Sequence, residues 1–440
     1  MRITYDATYI TRGKSGVPRD AKSLAKILSI ISREELRLVF FLKDSFPRKS
    51  KTLSSDRKHF NLVRRTIGSA IRINKGGRSV IPAPVERILL FFSSYTLFGK
   101  INVATVDATT SANILRNLSL ETLTEPKISI ANLDYKARLA RPSKFKPHKI
   151  VGIESDIFIQ QQPDPIQLVG NALQIVRIHD ILPFTHPFYF DAMSVHVFNS
   201  SLKKMLKLNV HWVFDSAANA EEFKNLFAPQ GMVTWIPPEV SLDGSFDPKL
   251  VKEKIVLVVN TLEPRKKVNL AVDGFLRGKR NGTLDSEWKL VIAGSNGWLQ
   301  DDLYNALKKN KINEDISYVD SPTDEMLVEL YMRAALVLSV TAAEGFGLPP
   351  LEGMLFGCEA VVSDIPQHRE HVGNYGVFIN GNSTEAVCQA LGEAIGNWNK
   401  RGGFGSAVNA DYVKRNFGET ITVDRWKALL TKLIDVRDTK

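Results

Sequence analysis

The feature that most constrains this chain is a rhythm in its second half. KIVLVVN (254–260), WKLVIAG (288–294), ALVLSV (335–340) and Glu359–Ser363 are short apolar runs, and stretches of helical spacing separate them. A strand that is apolar at nearly every position, rather than at alternate ones, must be covered on both faces. Strand and helix in alternation supply that cover as crossovers between parallel strands. The pattern predicts a doubly wound sheet. Its helices are expected at 266–280, from Trp298 to Lys309, from Asp324 to Ala334 and from Pro349 to Phe356, with a short strand at Tyr318 and Val319.

The first half repeats the rhythm less cleanly. A strand over 2–10 places Ile3, Tyr5, Ala7 and Tyr9 on one face, and a helix with Leu24, Ala25, Leu28 and Ile31 follows. Further strands are expected at 37–42, 101–106, 151–159, 173–179 and 195–198. Residues 43–100 break the alternation and read as an insertion. IPPEVSLDGSFDP (236–248) has turn residues and no periodicity, which marks a boundary. The chain of 440 residues therefore divides into 1–240 and 241–419. A final helix over 420–440, with Trp426, Leu429, Leu430 and Leu433, is expected to pack back toward the first domain.

Composition is that of an ordinary globular protein, with 44% hydrophobic and 24% charged residues. Two cysteines, Cys358 and Cys388, exclude a disulfide framework and a cysteine-based zinc site, and both are expected to be buried thiols of a reduced, cytoplasmic protein. No apolar run is long enough to cross a membrane, and the first residues lack the apolar core of a signal peptide. The charge is concentrated. Between Lys43 and Arg78 stand eleven Lys/Arg against two Asp and no Glu, which is +9 of the chain's +11. An apolar stretch from Ile88 to Phe98 follows. Basic beside amphipathic suggests attachment to an anionic membrane surface; a solvated loop before a core helix is the plainer alternative. No nucleic-acid motif accompanies the charge, so no nucleic-acid partner is expected.

The strongest local signal is AAEGFGLPPLEGMLFG (342–357), which follows a buried strand and opens a helix. Gly345 and Gly347 permit close backbone approach. Pro349 and Pro350 suit a first helical turn, whose free N–H groups and positive dipole end favour phosphate. Glu344 on the loop and Glu352 in the helix can reach two parts of one ligand. Arg265, Lys266 and Lys267 follow the strand 254–260 as a candidate phosphate clamp. His179-Asp180 alone is a weaker signal, since Asp180 could simply cap the next turn. GKS at 13–15 fails as a phosphate-binding P-loop, because Thr8 stands where that motif needs glycine. No acidic cluster has metal-ligand spacing, so no metal and no separate cofactor are expected.

On these residues the chain resembles glycosyltransferase family 4, retaining enzymes whose motif is E-x7-E. VNTLEPRKKVNLAVDGF (259–275), SDIPQHREHVGNYGVFI (363–379), RIHDILPFTHPFYF (177–190) and WIPPEV (235–240) are similar to further family segments. The resemblance covers most of 150–390. It implies the GT-B fold, two Rossmann-like domains facing a central cleft, with the acceptor on the first and the nucleotide sugar on the second. It implies that Glu352 binds the donor ribose and that Glu344 faces the transferred sugar beside the amides of Gly345, Phe346, Gly347 and Leu348. Lys266 would bind the diphosphate, His179 would lie near the reacting sugar, and Gly16 near the phosphates or acceptor. The family often has Arg five residues before this Lys; Thr261 is there instead, and Arg265 is the candidate replacement.

The resemblance leads to an expected reaction: retaining, metal-independent transfer of a sugar from a nucleoside diphosphate sugar to an acceptor hydroxyl. It is most similar to mannosyl- and rhamnosyltransferases of O-antigen and lipopolysaccharide synthesis. A GDP-sugar donor, a lipid-linked or oligosaccharide acceptor and a site at the inner face of the cytoplasmic membrane are expected accordingly. The rival readings are another GT-B enzyme, such as a sugar-nucleotide epimerase, and a non-catalytic basic adaptor.

Overall fold

The computed structural model describes residues 1–11, 16–32, 35–42, 52–53, 100–106, 108–118, 120, 122–123, 126–132, 148–151, 153–297, 301–308 and 313–439. Thr52 and Leu53 aside, the basic segment 43–78 and the apolar stretch 88–98 lie outside the described residues. The chain forms two compact units. One comprises residues 1–215, 220–238 and 422–440, the other residues 216–219 and 239–421.

The first unit contains β1 (Arg2–Asp6), α1 (Gly16–Ile31), β2 (Glu35–Leu42), β3 (Thr52–Leu53), β4 (Lys100–Val106), α2 (Ala108–Asn117), β5 (Lys127–Asn132), β6 (His148–Val151), β7 (Ile157–Gln160), β8 (Ile166–Leu168) and β9 (Leu173–Ile178). It continues with α3 (Leu182–Thr185), α4 (Ala192–Met205), β10 (His211–Phe214), most of α5 (Ala217–Phe227) and β11 (Val233–Trp235). The sheet order is β11-β10-β9-β7-β1-β2-β5-β4-β6-β8, with β3 beside β4. Among the described strands only β4 and β5 pair antiparallel. Strand β2 shows why the sheet is covered on both sides: Leu36, Leu38 and Phe40 enter one core, Val39 and Phe41 another.

Three sequence expectations change here. The strand over 2–10 stops at Asp6, whose Oδ1 accepts the Thr8 amide at 3.0 Å and turns the chain into a 3-10 turn, Thr8–Thr11. The strand over 151–159 is two strands. Ser155 and Asp156 bond to the backbone of Arg2, and this interrupts the run. Residues 195–198 are helix, not strand. SVHVF alternates locally, but Asp191 caps α4 by accepting the Ser194 amide at 2.9 Å, and the apolar series continues at helical spacing to the buried Leu202 and Met205. Local alternation lost to a cap and a longer period.

The second unit contains β12 (Glu253–Val259), α6 (Val268–Asn281), β13 (Lys289–Gly294), α7 (Asp301–Lys308), β14 (Ile316–Asp320), α8 (Asp324–Arg333), β15 (Ala334–Ser339), α9 (Leu348–Leu355), β16 (Glu359–Ser363), α10 (Pro366–His371), β17 (Gly376–Ile379), α11 (Thr384–Lys400) and α12 (Ala407–Phe417). Its strands pair parallel in the order β14-β13-β12-β15-β16-β17. Strand β12 divides its side chains by parity. Val256 and Val258 enter one core; Ile255, Leu257 and Val259 enter the other. The order reverses between β12 and β15, so their carboxyl ends flank the crevice where open parallel sheets of this kind bind ligands.

The last helix, α13 (Glu419–Asp438), contributes Trp426, Leu429, Leu430 and Leu433 to the core around β1 and α1. Cys358 and Cys388 are buried and free. No described helix is long and apolar enough to cross a membrane.

Candidate functional site

In the second unit, the segments after β12 and β15 meet at the switch point. Pro264 opens a 3-10 turn, Pro264–Lys266, closed by the Lys266 amide donating to Glu263 O at 3.0 Å. Lys267 then takes a left-handed conformation, φ 41°, and the chain enters α6 at Val268. Arg265 and Lys266 therefore precede the helix rather than starting it. The Arg265 carbonyl accepts the Ala342 amide at 2.8 Å and the Thr341 hydroxyl at 3.1 Å, which stitches the two loops together.

This stitching brings charges together across 78 positions. Arg265 Nη1 lies 2.9 Å from Glu344 Oε2, and Arg265 Nε lies 2.9 Å from Glu263 Oε2. Lys266 Nζ donates to Glu344 Oε1. Lys266 is only 8% exposed, so its ammonium is buried with the carboxylate. Burial opposes the charge of Glu344, but the Lys266 ammonium and Arg265 guanidinium outweigh it and hold the carboxyl at about 2. Burial pulls Lys266 down, with Glu344 partly offsetting it, and burial raises Glu263. Thr261, half-buried, carries no charge to this cluster.

The loop from Gly345 to Leu348 leads into α9. Phe346 turns inward: its ring lies 4.0 Å from that of His371 between centroids, and its carbonyl pairs with His371 Nδ1 at 2.9 Å. Gly347 precedes the helix with φ 93°, and a Cβ there would lie 3.0 Å from the His368 ring. Both the left-handed backbone and the close ring favour glycine here. His368 is fully buried; its Nδ1 donates to Ser363 O at 2.9 Å, and burial pushes its pKa down to about 4. The neutral ring thus packs beneath the loop that carries Glu344. Glu352 sits one turn into α9, buried, with its Oε2 accepting the Tyr331 hydroxyl at 2.9 Å. The arrangement puts two cations, a carboxylate and the free N–H groups of a helix start at one strand-end crevice.

His179 belongs to a separate buried network in the first unit. Arg177 pairs with Asp20 through two contacts of 2.9 Å and lies 2.9 Å from Asp215. His179 Nδ1 is 2.8 Å from Asp215 Oδ2, and its Nε2 is 2.9 Å from Gln161 Oε1. The direction of the chain settles the protons. Tyr5 OH donates to Ala21 O, so it accepts from Gln161 Nε2, which leaves Gln161 Oε1 as an acceptor toward His179. In this arrangement both ring nitrogens of His179 are placed to donate, which favours the protonated ring. Burial works against that charge, but Asp215 and then Asp20 raise the pKa above 6.5. Neither nitrogen is free to accept a proton. Gly16 is the first residue of α1, the helix that carries Asp20.

Sequence reasoning singled out Arg265, Lys266, Glu344, Glu352 and Gly345–Leu348; the fold brings Arg265, Lys266 and Glu344 into contact, leads from Glu344 through Gly345–Leu348 into α9, and buries Glu352 within α9 against Tyr331. It missed Glu263, His368 and Tyr331, and the partners of His179. Of these, only Glu263 and His368 lay within motifs already quoted.

The chain thus folds as two α/β units with a charged cluster at the switch point of the second, and the comparisons with known proteins give the fold its name. The sucrose-phosphate synthase structure from Thermosynechococcus elongatus superposes with a TM-score of 0.58 at 12% identity, covering 99% of this chain and 100% of that one. The fold is GT-B. Residues 245–410, which lie within the second unit, match the family model of glycosyl transferases group 1. The serotype-specific mannosyltransferase WbdA of Escherichia coli is 28% identical over 138 residues, 31% of this chain and 17% of the relative. The O-antigen chain mannosyltransferase B of Escherichia coli is 27% identical over 227 residues, 48% of this chain and 58% of the relative. The matched parts thus span less than two thirds of these relatives. The resemblance to GT-B glycosyltransferases and to O-antigen mannosyltransferases, read first from the motifs, holds.

Proposed function

We propose that the protein is a retaining glycosyltransferase of surface-polysaccharide synthesis, taking a sugar from a nucleoside diphosphate sugar to a lipid-linked glycan. The observation that carries the reading is the convergence of Arg265, Lys266 and Glu344 at the β12/β15 switch point, beside the start of α9. The likeness to mannosyltransferases favours GDP-mannose or a related GDP-sugar as donor. In this reading Glu352 holds the ribose, and Arg265 and Lys266, with the helix amides, hold the diphosphate. Negative charge grows on the diphosphate as the bond to the sugar breaks. Prepositioned donors there stabilise the transition state, and no bound metal or separate cofactor is needed for that task. Arg265 takes the place of the basic group absent at Thr261. His179, a fixed cation without a free nitrogen, orients the segment after β9 rather than moving protons. The basic segment 43–78 holds the enzyme at the anionic inner face of the cytoplasmic membrane.

The test is transfer from a panel of GDP-, UDP- and dTDP-sugars to polyprenyl-diphosphate glycans, in excess chelator, with the product's anomeric configuration assigned by NMR. The expected outcome is transfer from a GDP-sugar with retained configuration. Inversion, or a need for added divalent cation, would contradict the reading.

A further inference from the structure

The same cluster implies how the site receives its donor. We propose that Glu344 is the resting counter-ion of the cation pair and that it yields Arg265 and Lys266 to the diphosphate when the donor binds. This inference rests on the donor-site reading above.

Each oxygen of the Glu344 carboxylate holds one cation: Oε2 faces Arg265 Nη1 at 2.9 Å, and Oε1 accepts from Lys266. Among the described residues Glu344 is the sole hydrogen-bond acceptor of the Lys266 ammonium. With Glu263 on Arg265 Nε, the quartet comprises two carboxylates and two cations, so as ionised groups they sum to no net charge. A diphosphate brings at least two negative charges to this neutral group. It gains charge-assisted hydrogen bonds only if the cations turn from a carboxylate to it.

The two carboxylates are not equally placed to let go. Glu263 lies within the stitched turn after β12, next to Pro264, and is held against Arg265 Nε. Glu344 is on the loop before α9, outside any helix or strand, and is followed by Gly345 and Gly347. The family resemblance read from the sequence implies that Glu344 also faces the transferred sugar. Once off the cations, its oxygens can accept from sugar hydroxyls, so one displacement would both seat the diphosphate and free the group that reads the sugar.

A plain scaffolding role for Glu344 predicts the opposite sign. If the carboxylate only orients the cations, its removal loosens them and weakens diphosphate binding. If it competes, its removal strengthens binding.

The experiment is calorimetric titration of the full chain with free GDP and UDP, in wild type, Glu344→Gln and Glu344→Asp, and in Lys266→Met alone and combined with Glu344→Gln. Glu344→Gln should bind nucleoside diphosphate roughly tenfold more tightly than wild type. Glu344→Asp, withdrawn by one methylene, should show a smaller tightening. The affinity lost on Lys266→Met should be larger in the Glu344→Gln background than in wild type. If Glu344→Gln fails to fold by circular dichroism, Glu344→Asp decides on the same criterion. Unchanged or weaker binding in a folded variant overturns the exchange while leaving the donor site standing. Absence of GDP and UDP binding in wild type overturns the donor-site reading itself, and the exchange with it.

Discussion

Replacing Lys266 with Met tests whether the buried cation serves chemistry or only the fold. The change keeps most of the stem volume and removes the ammonium. In the structure Lys266 is one of two cations on Glu344, and the other, Arg265, remains at 2.9 Å. Removing one partner of a buried pair costs about 3–5 kcal/mol when the other is left alone. Here Glu344 keeps a guanidinium, so the loss of one charge-assisted hydrogen bond, about 1.5–3 kcal/mol, is the better guide. For a unit of this size about 2 kcal/mol corresponds to a fall in Tm of about 4–8 °C. That magnitude separates the two roles. A protein that retains about 3 kcal/mol of its stability is still more than about 99% folded, so instability alone removes almost no activity at assay temperature. Loss of a transition-state stabiliser removes about 10²–10³ in turnover. Urea unfolding and steady-state sugar transfer, measured on the same preparation, give both numbers. Turnover within threefold of wild type, with stability reduced as expected, would refute the chemical role and leave Lys266 as a structural ion.

Two further predictions follow from the geometry. His179 has a folded pKa raised above 6.5, so its contribution to stability is fully present below that value and is lost as pH rises through the folded pKa. Urea unfolding at about pH 6 and about pH 9 should show a larger decline in wild type than in His179→Gln; nitrogen-detected NMR of a neutral ring near pH 7 would overturn the double-donor assignment. Gly347→Ala forces a side chain into φ 93° and against the His368 ring. It should cost about 1–2 kcal/mol from the backbone conformation alone and lower turnover by displacing the loop; unchanged stability by urea titration would show that the loop adapts.

Four strands of the second unit, β12, β13, β15 and β16, were legible because each is buried on both faces, so its apolar run carries a clear signal over five to seven residues. The candidate site was legible in pieces, since EPRK and EGFGLPP each follow such a strand. Their meeting was not legible, because it depends on β15 lying beside β12 rather than on any local spacing. The network around His179 was hidden for the same reason: Tyr5, Asp20, Gln161 and Asp215 come from four segments, none with a motif. Partnership decides more than membership here. Read along the chain, Arg265 and Lys266 are free positive charge awaiting phosphate. In three dimensions each already faces a carboxylate, and the group is neutral. A neutral resting group exerts little long-range pull on polyanions. In the proposed exchange it withholds its cations from any passing phosphate and yields them to a ligand that first engages other contacts, such as the α9 amides and Glu352. Specificity for a nucleoside diphosphate sugar over simple phosphate would then come from the order in which contacts form. In the proposed reading the basic group absent at Thr261 is supplied by Arg265, which Glu263 and Glu344 hold at the switch point.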